Sequence, residues 1–122
     1  MDYQFTATVH RSHLHVIGTG THSADNVRRL LADTNRVIVE QHIDAVLLEL
    51  RFVGPSLDLG HIYSIIADNR ADAMLVKRIG YVDTNAEHLP DRTEFAELAA
   101  NRLGVNARVF QSVVDAEAWL TS

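Results

Sequence analysis

The chain holds seven histidines and no cysteine, which rules out disulfides, thiolate zinc sites and cysteine nucleophiles and turns attention to imidazole and carboxylate groups. His13 and His15 fall on one face of a strand-like stretch, and a tight turn at Arg11-Ser12 would bring His10 close to them. Imidazoles at that spacing can ligate a divalent metal, but a closed site needs further donors. The positions of His22, His42, His61 and the carboxylates supply no recognisable ligand spacing. A bare His-x-His therefore reads as a solvated polar strand face, and no metal is expected. Ser56, Asp58 and His61 bring nucleophile, orienter and base types together in sequence. Closeness in sequence does not align them, no nucleophile elbow surrounds Ser56, and turn and cap roles explain Ser56 and Asp58 better. No catalytic residue is expected, and the chain is read as a non-enzyme. Gly18-Thr19-Gly20-Thr21 could turn backbone N–H groups toward a phosphate. There is no Walker lysine-serine pair, and Ser23 stands where a complete G-x-G-x-x-G needs its last glycine. A tight connection into a helix accounts for the glycines, and no cofactor is expected.

Those side chains need a scaffold, and 122 residues make one domain, residues 1–122, able to bury most of its apolar surface. Sixteen acidic against 11 basic residues give a net charge of −5, with the basic residues scattered. Broad electrostatic binding of nucleic acid is therefore not expected. No apolar run approaches the roughly 20 residues of a membrane span, and Met1 does not open a signal segment, so no stable membrane insertion is expected. The lack of cysteine fits a cytoplasmic protein. Protonating all the histidines would reverse the sign of the net charge, which would make association sensitive to pH near the imidazole pKa.

The elements follow from periodicity. Tyr3, Phe5, Ala7 and Val9 alternate with polar residues, and Leu14 and Val16 resume the alternation after Arg11-Ser12. A hairpin pairing Val9 with Leu14, Ala7 with Val16 and Thr8 with His15 keeps one apolar face intact, which predicts Val9 and Leu14 both buried. Gly18 to His22 is predicted to break the second strand. Ser23 then caps a helix whose stripe is Val27, Leu30, Leu31, Thr34, Val37, Ile38 and Gln41. Val46, Leu47, Leu48 and Leu50 form a nearly continuous apolar run, the mark of a strand covered on both faces. After Gly54-Pro55, Leu59, Ile62, Tyr63 and Ile66 predict an amphipathic helix, and Met74 to Val82 a further strand. Asp83 to Pro90 reads as a polar loop. Asp91 with Glu94 resembles a capping box for a helix burying Phe95, Leu98, Ala99 and Leu103, ended by Gly104. Ala107 to Phe110 and a helix capped by Ser112 close the chain. The predicted order is β-β-α-β-α-β-α-β-α: an N-terminal hairpin, then alternating units, giving an α/β fold with a mixed, largely parallel five-stranded sheet and packed helices.

This element order, with Arg78-Ile79-Gly80-Tyr81-Val82, Phe95-Ala96-Glu97-Leu98-Ala99, Ala107-Arg108-Val109-Phe110 and Ala116-Glu117-Ala118-Trp119-Leu120, resembles the STAS domains and especially the small SpoIIAA-like proteins. The resemblance implies a STAS/SpoIIAA-like fold and a regulatory, protein-interaction role of the bacterial anti-sigma-factor-antagonist type. It places partner docking at the rim between the third strand and second helix, at Phe52, Val53, Ser56, Leu57, Asp58 and His61. The family's phosphorylatable serine just before a glycine has no counterpart, because Leu57-Asp58-Leu59 precede Gly60. Phe52, Val53 and Leu57 either fold inward as a plug or form a patch facing a partner or a lipid. The leading reading is a non-enzymatic interaction module with a protein partner, a homodimer being one arrangement the sequence allows. The runner-up is a carrier for a small apolar ligand or a nucleotide. An internal apolar cavity would favour the carrier, and a flat exposed patch the interaction module.

Overall fold

A computed structural model describes residues 2–85, 88 and 90–122. Five strands, β1 (Gln4–Val9), β2 (Leu14–Thr21), β3 (Ala45–Val53), β4 (Arg78–Asp83) and β5 (Ala107–Phe110), form one sheet in the order β1-β2-β3-β4-β5. The β1–β2 pair is antiparallel and the other three pairs are parallel, so the predicted mixed and mainly parallel sheet is observed. From β2 onward the chain advances across the sheet in one direction. Right-handed crossovers then put every crossover helix on one face. Those helices are α1 (Ala24–Gln41), α2 (Leu59–Asp68) with the short α3 (Arg70–Ala73), and α4 (Pro90–Arg102). The last helix, α5 (Val113–Leu120), covers the opposite face at β3, β4 and β5.

The two-sided cover explains the apolar run in β3. Val46, Leu48, Leu50 and Phe52 join the larger core with Leu14, Val16 and Leu30. Ala45 and Leu47 point the other way, toward Ala116 and Leu120 of α5. Alternate β3 side chains thus enter two separate cores, which a period-two strand does when both faces are covered.

The hairpin register is the expected one, with Val9 opposite Leu14, Ala7 opposite Val16 and Thr8 opposite His15. Leu14 and Val16 are fully buried, but Val9 is 57% exposed. It sits at the end of the edge strand, beyond the helices that cover Tyr3, Phe5 and Ala7. The Gly18–Thr21 segment does not break β2, which runs on to Thr21. A Cβ at Gly18 would lie 2.9 Å from Leu30 and 3.1 Å from Phe52, so the glycine lets α1 and the end of β3 close onto the strand.

Three further expectations change. Met74 to Lys77 is not strand; α3 and a turn occupy the stretch before β4 begins at Arg78. In α2 the buried side is centred on Ile65, while Leu59 and Tyr63 are 41% and 48% exposed. In α4 the buried residues are Ala99 and Ala100, and Leu98 is exposed. Both helices are rotated from their predicted stripes because the apolar residues on them are numerous enough to define more than one face. Helix α4 starts at Pro90, so Asp91 lies in its first turn and does not cap it; position 89 falls outside the described residues, as do positions 86 and 87. Ser23, Asp58 and Ser112 do cap α1, α2 and α5, each accepting a backbone N–H three residues on. Gly104 ends α4 with φ +89°, as expected of a left-handed helix terminator.

Candidate functional site

The larger core is not completely filled. Between the sheet and α1, α2 and α4 lies a cavity of about 150 Å³. Its inner end is set by Ile38, Val46, Ala73, Ile79, Val105 and Ala107. Leu48, Leu50, Ile62, Ile65 and Ile66 line its walls, and Ala96 and Ala100 of α4 bring small side chains to the same space. Alanines one turn apart on a helix, facing a sheet, leave room that larger side chains would take.

Polar groups gather at the other end, beyond the carboxyl ends of the parallel strands. This is where open α/β sheets commonly bind ligands. The topology puts His22 after β2, Ser56 and Leu57 after β3, Asp83 and His88 at and after β4, and Arg92 and Thr93 at the start of α4. His88 donates from Nδ1 to Asp83 Oδ2 at 2.5 Å, and both side chains are nearly inaccessible to water. Asp83 Oδ1 accepts the Asn85 backbone N–H at 3.0 Å. The Asn85 amide donates to the carbonyls of Phe52 and Gly54, and His88 Nε2 lies 2.9 Å from Gly54 O. The loops after β3 and β4 are thereby tied together. His22 packs against His88 with ring centroids 4.2 Å apart and donates from Nδ1 to Pro55 O at 2.8 Å.

A second polar cluster occupies the α5 face. His15 meets the buried Glu49 at 2.8 Å, and Glu49 also accepts from Arg51 at 2.5 Å. His13 lies 3.3 Å from Glu117 of α5, and the His10 ring stacks on His13 with centroids 5.0 Å apart. The His13-x-His15 face is therefore partly buried and set against Glu117 and Glu49, not the solvated face expected from sequence. Among the described residues no group of three or more histidines and carboxylates is placed to hold a metal ion.

Of the rim residues, Phe52 is 2% exposed and belongs to the core, which takes it out of any docking surface. Val53, on the opposite side of the strand, is 66% exposed. Ser56 and Leu57 fold inward and line the cavity. Asp58 is exposed, caps α2 through the His61 N–H and also accepts from His61 Nδ1 at 2.7 Å. Ser56, Asp58 and His61 do not form a catalytic line, because the Asp58–His61 pair faces solvent while Ser56 turns toward the cavity. Sequence reasoning did not single out Asp83, His88 and Arg92. The available signal was an Asp and a His in the loop leaving a parallel strand, just before a helix start.

Burial holds His22 below the ordinary imidazole pKa, with the neighbouring His88 adding to the effect and the Pro55 carbonyl opposing it. Burial likewise lowers His13, helped by His10 and opposed by Glu117. The fold thus favours neutral imidazoles, and the unfolded chain takes up protons first. Stability from these groups is complete above the unfolded value of about 6.5 and is lost as pH falls from there through the lower folded values. The melting temperature should therefore drop between about pH 7 and about pH 5, and a His13→Gln, His22→Gln double variant should show a shallower drop. Thermal denaturation followed across that range checks this; a flat profile for the parent protein would contradict it.

No protein-family model matches the chain, and comparison with curated proteins gives no significant match. No helix among the described residues is long and apolar enough to cross a membrane.

Proposed function

We propose that the chain binds a small apolar molecule between its sheet and helices α1, α2 and α4, and that it is a ligand-binding protein of the STAS, SpoIIAA-like kind. The observation that carries the binding reading is the cavity, with an apolar inner end and polar groups gathered at the carboxyl edge of the sheet. A preformed apolar pocket with a few polar groups at one end is the usual form of a small-molecule site. Cavities near this size, lined by aliphatic side chains, take up molecules as large as benzene, so the ligand is on the order of six to eight carbon atoms long. The sheet order and the β4, β5 and α5 segments support the STAS-like reading of the fold.

Burying a chain of that length releases about 5–6 kcal/mol, part of which is offset by the cost of association, leaving a dissociation constant on the order of 1 mM. Calorimetric titration with 1-octanol tests the reading, with Ala96→Leu as the control because the larger side chain enters the cavity. The parent protein should bind, and the variant should bind at least about tenfold more weakly. Equal binding by the two proteins would put the alcohol elsewhere.

A second reading, docking of a protein partner on the adjoining rim, draws on the exposed Val53, Leu59 and Tyr63 beside Asp58 and His61. In that reading the inward-facing Ser56 and Leu57 connect rim and cavity, so ligand occupancy would tune docking.

A further inference from the structure

Arg92 is the one lysine or arginine in the described lining of the cavity, and its surroundings leave it incompletely satisfied. One terminal guanidinium nitrogen reaches Asp91 at 3.1 Å. Its Nε–H is sealed from water and has no acceptor among the described residues. A buried donor without a partner costs free energy, most of all in a charged group, and such orphans in a native fold call for an explanation. Tyr81 lines the same cavity from β4. Burial and the nearby Asp83 carboxylate keep its phenol protonated, so it also offers a donor, and its hydroxyl enters no hydrogen bond with a described residue.

The acidic groups of the lining are already engaged. Asp83 accepts from His88 through Oδ2 and from the Asn85 N–H through Oδ1. Glu97 accepts the Val109 N–H at 2.7 Å. A cationic head group would have to displace these internal donors. An acceptor with negative charge would instead meet the Arg92 Nε–H and the Tyr81 hydroxyl, which have no acceptor among the described residues. Arginine suits that task because its planar fork matches a carboxylate.

Resting on the proposed binding role, we infer that the ligand is an amphiphile with a carboxylate head and a short hydrocarbon chain, the head held by Arg92 with help from Tyr81 and the chain in the apolar cavity. The α4 start thus selects the head group, and the alanine-lined space selects chain length.

Octanoate and 1-octanol have equal chain lengths and differ in the head, so titrating both into the parent protein, Arg92→Met and Tyr81→Phe separates the two contributions. Methionine keeps much of the apolar stem of arginine and removes the charge. The parent protein should bind octanoate at least about tenfold more tightly than octanol, a preference of the size a charge-assisted pair gives. Arg92→Met should abolish that preference, and Tyr81→Phe should reduce it by a smaller factor. If octanol binds as well as octanoate, or if the preference survives in Arg92→Met, the head-group assignment is wrong and the apolar-binding reading stands. If neither compound binds the parent protein, both fall together.

Discussion

Phe52→Ala should destabilise the domain by about 3–5 kcal/mol, the range expected when a fully buried aromatic side chain is removed. Phe52 lies one residue before the end of β3, contacts the Gly18 backbone region where no Cβ stands in the way, and stacks on His22 with centroids 5.9 Å apart. Little else can fill the space it would leave, since Leu30 already closes onto the same glycine. Equilibrium urea unfolding gives the loss directly. A change below about 1 kcal/mol would mean the ring is peripheral, because exposed substitutions seldom cost more. The outcome also bears on the rim. A docking residue would lose partner affinity with stability intact, whereas a core residue loses stability first.

His88→Ala should cost a similar amount, about 3–5 kcal/mol, through a different mechanism. Removing one member of a buried, hydrogen-bonded pair leaves the other charge uncompensated. Among the described residues, Asp83 would then keep the Asn85 N–H alone, and the carbonyl of Gly54 would lose one neighbour. Because the penalty comes from the stranded carboxylate, Asp83→Asn in the same chain should recover part of the loss, and the double-mutant cycle should show strong coupling. Additive losses in urea unfolding would show that the pair does not act as a unit.

Much of this scaffold is legible in the chain, for reasons specific to each segment. The β1–β2 register follows from alternation alone, since a one-residue slip would turn Leu14 and Val16 out of the core. The unbroken apolar run in β3 announces cover on both faces, and α5 supplies the second cover. Ser23, Asp58 and Ser112 mark helix starts because their side chains satisfy backbone donors that nothing else reaches. The rotation of α2 and α4 is not legible in the same way. Leu59 and Tyr63 offer as good a stripe as Ile62, Ile65 and Ile66, and only contact with neighbouring helices chooses between them. Gly18 and Gly20 look like strand breakers, yet the first is required by the close approach of Leu30 and Phe52.

The site is less legible than the fold because it is assembled from three separate connections. His22, Ser56, Asp83, His88 and Arg92 become neighbours only once parallel strands bring their carboxyl ends to one edge. The cavity depends on spacing between layers. Ala96 and Ala100 look like ordinary helix formers until α4 is set over β4 and β5, where their small size leaves space unfilled. The histidine face at His13 and His15 looked solvated because nothing local foretells that α5 returns to cover it with Glu117.

The central claim is that the space between the sheet and α1, α2 and α4 receives an apolar ligand. Intermolecular nuclear Overhauser effects between bound 1-octanol and the isoleucine, leucine and valine methyl groups test it most directly. The terminal methyl of the ligand should show contacts to Ile38, Ile79 and Val105 at the inner end of the cavity, and the carbinol end to Leu57 near the mouth. Contacts only to exposed side chains such as Leu75 and Val114, with none to Ile38 or Ile79, would contradict the account.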